Sequence, residues 1–259
     1  MTDLIRAAEE QLRGLLRAAF SAAAAKGALP ASAVFSPALS RPREPERGEL
    51  SSACALAAGA AEPRRAAEAL LAELDIRGSF FASAEAAGPG YLNFRLGEGW
   101  YAAVLQAFEA EAAVPARPMT EANFLLALGA DPALLERQDG ENPLYRVRYA
   151  YARLGTLLAR EQAAPIGAAE AAGLLTNEAE RALLRCLARL SGAFSSADPA
   201  RAARTLAALG NAFYRWYAAR PLREPEPRLR AARLRLGAAV RRGLDLGLES
   251  LGLHERRTP

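Results

Sequence analysis

The residues best equipped for chemistry lie in one stretch, NPLYRVRYAYARL at 142–154, which holds three tyrosines and three arginines in thirteen positions. At helical spacing Tyr145, Tyr149 and Arg153 fall at i, i+4 and i+8 on one face, whereas Val147, Tyr151, Leu154 and Leu158 line another. Rings beside guanidinium groups offer stacking surfaces to unpaired bases and bidentate donors to phosphates. The same pattern also suits an amphipathic helix with half-buried tyrosines and a solvated arginine face. No Ser/His/Asp or Cys/His pairing, Gly-rich phosphate loop or metal-ligand cluster stands elsewhere in the chain, so no metal and no cofactor are expected.

Charge separates the two halves of the 259-residue chain. Residues 1–120 hold 12 Lys and Arg against 14 Asp and Glu, and residues 121–259 hold 21 against 15, giving net charges of −2 and +6. The densest segment, Arg215 to Arg242, carries nine arginines against Glu224 and Glu226 alone. Such a half suits a polyanionic partner. Arg241 and Arg242 read as a solvated face, and Glu44, Glu46 and Glu49 as part of a self-compensating loop. Phe213, Trp216 and Tyr217 fall at core spacing. No long apolar run or basic leader is present, so neither a membrane span nor a signal peptide is expected. Cys54 and Cys186 read as reduced core thiols of a cytoplasmic protein.

The elements that must hold the tyrosine-arginine stretch follow from periodicity and breakers. A helix is expected over 3–26, ended by Gly27 and Pro30, then a short strand in ASAVFSPAL, a polar loop, and a second helix in LSSACALAAGA ending at Gly59. Pro63 opens a third helix. FFASAEAAGPGYLNFRL reads as two strands around Gly88, Pro89 and Gly90, with Tyr91, Asn93 and Arg95 on one face and Leu92, Phe94 and Leu96 on the other. A helix from about Glu98 to Ala112 precedes the proline-bearing AAVPARPM, and all beyond reads as helix. The expected fold class is α+β, predominantly α: a small mixed α/β domain over 1–113, a linker over 114–135 and an all-α bundle over 136–259.

Two of these segments carry a resemblance. AGPGYLNFRL resembles the closing strands of the N-terminal additional domain of arginyl-tRNA synthetases. ERGELSSACALA is similar to that domain's HGDFATN signature, with Arg47 in place of the His, Glu49 of the Asp and Ala53 of the Asn. NPLYRVRYAYARL resembles NPVYYVQYAHARI, the opening of the same family's helical anticodon-binding, or DALR, domain, and the later helices follow suit. Here Arg146 replaces a usual tyrosine, Arg148 a glutamine and Tyr151 a histidine.

The resemblance implies a tRNA partner, arginine tRNA included. It places Tyr91 and Asn93 at the D-loop, at the tRNA elbow, and Arg146, Tyr149 and Arg153 at the anticodon; Tyr145 and Arg148, on the same helix, join them as RNA-binding candidates by spacing and charge. It also implies an absence. About twenty residues stand where the synthetases carry their class I catalytic domain. The lone histidine, His254, and the lone lysine, Lys26, cannot supply HIGH-type and KMSK-type motifs. Three readings follow: a noncatalytic tRNA-binding paralogue that serves as adaptor for another tRNA enzyme, modifying or aminoacylating; an accessory subunit of a split synthetase; and a protein-interaction module that has lost RNA binding. The last is favoured if intramolecular carboxylates neutralise the arginines. The first expects four to six phosphate contacts, no membrane and no DNA.

Overall fold

The computed structural model describes residues 1–30, 35–42, 44, 47–57, 62–110, 113–161, 163–219 and 221–254. The chain divides into two compact units, residues 6–100 and residues 101–259 together with 1–5. Helix dominates both, with a single small antiparallel sheet among the described residues.

In the first unit, helix α1 (Leu4–Ala25) buries Ala8, Leu12, Leu16, Ala19 and Ala23, a stripe at helical spacing. Strands β1 (Leu39–Ser40) and β2 (Leu50–Ser52), helices α2 (Cys54–Ala57) and α3 (Pro63–Glu73), and the hairpin β3 (Phe81–Ala87) and β4 (Tyr91–Leu96) follow. The sheet runs β1-β2-β4-β3, all antiparallel. Its buried face carries Leu92 and Phe94 of β4, both fully covered. Gly90 sits at φ 145, and a Cβ there would lie 2.9 Å from Pro63, so only glycine lets the hairpin turn meet the start of α3.

Two expectations differ here. Residues 35–38 of the expected strand have no regular structure and β1 is confined to Leu39–Ser40, while 31–34 lie outside the described residues. Leu50–Ser52 is a strand rather than the start of a helix, because Leu50, Ser51 and Ser52 pair with Phe94, Asn93 and Leu92. Long-range pairing outweighs the helical propensity of the alanine-rich residues that follow. The expected stop of that helix at Gly59, and Glu46 in the loop, also lie outside the described residues.

The second unit holds most of α4 (Glu98–Ala107), then α5 (Glu121–Ala127), a 3-10 turn (Pro132–Glu136), α6 (Pro143–Arg160), α7 (Ala168–Leu174), α8 (Glu178–Ser195), α9 (Pro199–Ala218), a second 3-10 turn (Pro221–Arg223) and α10 (Pro227–Leu251). Helix α9 packs against α6, α8 and α10. Glycines set the spacing: a Cβ at Gly247 on α10 would meet Leu206 at 2.5 Å, and one at Gly243 would meet Leu187 at 2.7 Å. Phe213 and Trp216 are core, as their spacing predicts.

The segment read as a linker is packed into this unit. Phe124 and Leu125 are fully buried, and the amides of Arg117 and Met119 donate to the carbonyls of Ser250 and Leu251. Among the described residues no helix is long and apolar enough to cross a membrane. Both cysteines are free and buried, and burial pushes both thiols up.

Asn142 starts α6. Its Oδ1 accepts from the amides of Leu144 and Tyr145, and its Nδ2 donates to the carbonyl of Arg137. Asn142→Ala is expected to lower stability by about 1–2 kcal/mol, the worth of such a cap. Urea denaturation followed by helical ellipticity measures it, and an unchanged midpoint would show that α6 does not depend on this cap.

Candidate nucleic-acid interface

Helices α6 and α9 run in the same sense and meet in rungs. At the bottom, Gly210 of α9 faces Val147 of α6, where a Cβ would sit 3.2 Å from Val147 Cγ2. One edge of this seam carries three polar or aromatic rungs. Arg146 Nη1 donates to Asn211 Oδ1 at 2.9 Å. Tyr149 stacks on Tyr214 with centroids 5.6 Å apart and 24° between planes. Arg153 donates to the Tyr217 hydroxyl from Nε at 2.8 Å and from Nη2 at 2.6 Å.

Tyr145 extends the middle rung along α6, its ring 6.2 Å from that of Tyr149. The result is a stack of three rings, Tyr145, Tyr149 and Tyr214, on the seam edge that also carries the Arg146–Asn211 and Arg153–Tyr217 bonds. Tyr149 is the exposed member at 38%. Burial first, and then the neighbouring phenols Tyr149 and Tyr145, push the Tyr214 hydroxyl above the usual phenol range, so it stays protonated. The hydrogen bond to the Tyr217 hydroxyl raises the Arg153 guanidinium above the ordinary arginine value.

The spacing argument found Tyr145, Tyr149 and Arg153 but missed Tyr214 and Asn211, which lie more than fifty residues downstream. It assigned Tyr217 to the core. Tyr217 stacks on buried Phe213 at 5.4 Å, yet it is only partly covered and its hydroxyl serves Arg153. The available signal was the run LGNAFYRWY, in which 211, 214 and 217 repeat every three residues on a helix whose other face is apolar.

Arg148 departs from the expectation that it holds a phosphate. It points away from the tyrosines: Nη2 bonds Glu121, and both Nε and Nη2 donate to the Leu253 carbonyl, at 3.2 and 2.8 Å. Its side chain is 21% exposed. One step along α6 from 147 turns the side chain by about 100°, which carries 148 toward α5 and the end of α10.

The basic segment also differs from a free cationic face. Arg228 pairs with Glu170, Arg233 with Glu180 and Glu224, Arg235 with Glu109, and Arg242 with Asp245. Arg241 lies over the Tyr151 ring at 4.6 Å and donates to its hydroxyl. Neither Arg241 nor Arg242 is the solvated residue that was expected. Glu170, Glu180 and Glu109 lie on other segments, more than fifty residues away in sequence, where a charge count does not reveal them. In the first unit Arg47 does pair with Glu44, while Glu49 accepts from the Leu96 amide.

On the sheet, Tyr91 is 42% exposed and Asn93 only 3%. Both belong to one face of β4, but β4 is an interior strand and Asn93 lies between Ser51 and Glu85 of its neighbours. The expectation that both reach a base edge therefore holds for exposure at Tyr91 alone. Asn93 Nδ2 is buried and finds no acceptor among the described residues.

Comparison with known proteins matches both halves. Residues 10–96 match the family described as arginyl tRNA synthetase N terminal domain, and residues 147–256 the DALR anticodon binding domain. Similar relatives are arginine–tRNA ligases. That of Symbiobacterium thermophilum is 37% identical over 115 residues, covering 42% of this chain and 20% of the relative. That of Bordetella pertussis is 37% identical over 118 residues, 44% and 21%. That of Aromatoleum aromaticum is 38% identical over 135 residues, 49% and 22%. The matched stretch thus spans about a fifth of each relative's length.

Because Arg148 of α6 bonds Glu121 of α5 and the Leu253 carbonyl just beyond α10, Arg148→Ala is expected to destabilise the protein by about 1.5–3 kcal/mol, the usual worth of hydrogen bonds to a charged group. The slope of RNA affinity against salt should not change. Thermal denaturation paired with a salt titration checks both, and a lowered slope at constant stability would return Arg148 to the interface.

Proposed function

We propose that this arginyl-tRNA-synthetase-like chain binds tRNA without charging it. In this reading the α6–α9 surface takes the unpaired anticodon loop, and the β4 hairpin, through Tyr91, lies against the elbow. The carrying observation is the tyrosine stack on the seam edge shared with Arg146 and Arg153, whose partners Asn211 and Tyr217 are uncharged. An arginine bonded to a neutral side chain keeps its full charge for a phosphate, whereas one paired with a carboxylate does not. The similarity of residues 147–256 to an anticodon binding domain supports the same surface.

The noncatalytic part rests on what joins the two matched regions. Residues 97–146 hold α4, α5 and a 3-10 turn, and they carry no histidine or lysine. Adenylate formation needs groups that stabilise charge developing on the phosphates. A protein that grips a tRNA at its elbow and anticodon loop and performs no chemistry on it is suited to present that tRNA to another enzyme of tRNA modification or aminoacylation.

A second reading, a protein-interaction module that no longer binds RNA, is favoured by the internal pairing of Arg228, Arg233, Arg235 and Arg242. The two readings part on a salt titration. With those arginines engaged, about two to four phosphate contacts remain, fewer than the sequence suggests. At a slope of roughly 0.7–0.9 per contact, tRNA affinity should fall about ten- to hundredfold between 50 and 200 mM salt. Tyr149→Ala should cost about 1–3 kcal/mol of binding, one base-aromatic stack, and leave the slope unchanged. No tRNA binding at low salt would overturn the tRNA-binding reading and favour the interaction module.

Catalysis is tested separately. With ATP, arginine and tRNA present, pyrophosphate exchange should stay at background, and exchange above background by the pure chain would overturn the noncatalytic reading.

A further inference from the structure

A cavity of about 320 Å³ lies where the start of α8 meets the turn between α9 and α10. Asn177, Glu180, Arg223, Glu224 and Arg233 supply its polar lining, and Trp216, Ala219, Pro221 and Pro225 its apolar walls. The acceptors in this lining already have partners. Glu180 takes Arg233 Nε on one carboxylate oxygen and the Asn177 amide on the other. Glu224 takes Arg233 Nη1 on one and the Glu226 amide on the other. Asn177 Oδ1 accepts from the Ala179 amide. The groups left over are donors. Arg223 is exposed and pairs with no carboxylate among the described residues, and Asn177 Nδ2 donates to none of them. Trp216 is 2% exposed, and its indole Nε1 is buried with no acceptor.

We infer that this cavity binds a small monocarboxylate with a compact apolar body. A carboxylate offers acceptors only, which is the complement of a lining whose remaining groups are donors. Its single charge meets Arg223, the lining cation that no glutamate holds. A dianion such as phosphate would also meet Glu180 and Glu224, against whose two charges Arg233 carries one. An ammonium group would find each carboxylate oxygen already engaged. The indole, alanine and proline walls cover the apolar body. This site lies apart from the α6–α9 edge, and the inference does not depend on the RNA-binding reading.

The test uses the full chain labelled with nitrogen-15. Its two tryptophans, Trp100 and Trp216, give two indole N–H cross-peaks, and Trp216→Phe identifies the second. Titration with benzoate should move the Trp216 peak saturably and leave the Trp100 peak in place. Benzamide, benzylammonium and inorganic phosphate should each bind about tenfold more weakly or not at all. Arg223→Gln should weaken benzoate about ten- to hundredfold, the worth of one hydrogen bond from a charged group. Asn177→Asp keeps the cap oxygen of α8, removes the Nδ2 donor and should also weaken benzoate, which covers the case in which Arg223→Gln melts early. No saturable shift up to the solubility limit would overturn the inference. Benzamide, benzylammonium or phosphate binding as tightly as benzoate, or benzoate affinity unaltered in both variants, would overturn it as well.

Discussion

The close approach of α6 to α9 is the constraint on which the candidate site depends. Gly210 leaves room for Val147, and with the backbones that near, residues one, four and seven places further along α9 come opposite 146, 149 and 153 on α6. A Cβ at 210 would sit 3.2 Å from Val147 Cγ2, so Val147 would have to give by a few tenths of an ångström for the rungs to keep their geometry. The surface is thus assembled by packing in the core beneath it, and its geometry is as rigid as that core. The Asn142 cap and the Arg148 tether serve the same end, fixing where α6 starts and what holds its far face.

Charge in this protein is spent mainly inside the chain. The basic half keeps its net charge of +6, but four of the six arginines of α10, Arg228, Arg233, Arg235 and Arg242, pair with carboxylates of the chain itself. Exposed pairs of this kind contribute little to stability individually. The Arg233 cluster differs, because Glu180 is 2% exposed and must be matched wherever it sits. The consequence for binding is directional. Long-range attraction for a polyanion persists, and two cations with neutral partners, Arg146 and Arg153, stand at the edge of the α6–α9 seam.

Local features of the sequence were readable where one element decided them. The α3 start at Pro63, the hairpin around Gly88 to Gly90, the α6 register and the core placement of Phe213 and Trp216 all rest on spacing within a few residues. What the sequence hid was set by partners far along the chain. Leu50–Ser52 became a strand because β4 was there to pair with it. Asn93 went under cover because β4 has neighbours on both sides. Arg148, expected at a phosphate, found Glu121 and Leu253, and Tyr214, for which the sequence suggested no role, met Tyr149 across a helix pair. Periodicity says which residues share a face, and only tertiary packing says what that face meets.

The central claim is that this surface recognises unpaired bases and does not merely attract phosphates. Base-by-base chemical footprinting of a bound tRNA at physiological salt tests it most directly. Protection should concentrate in the anticodon loop and the D-loop, and Tyr149→Ala should abolish the anticodon-loop protection while sparing the D-loop. Protection spread evenly along the backbone, or unaltered by Tyr149→Ala, would contradict it.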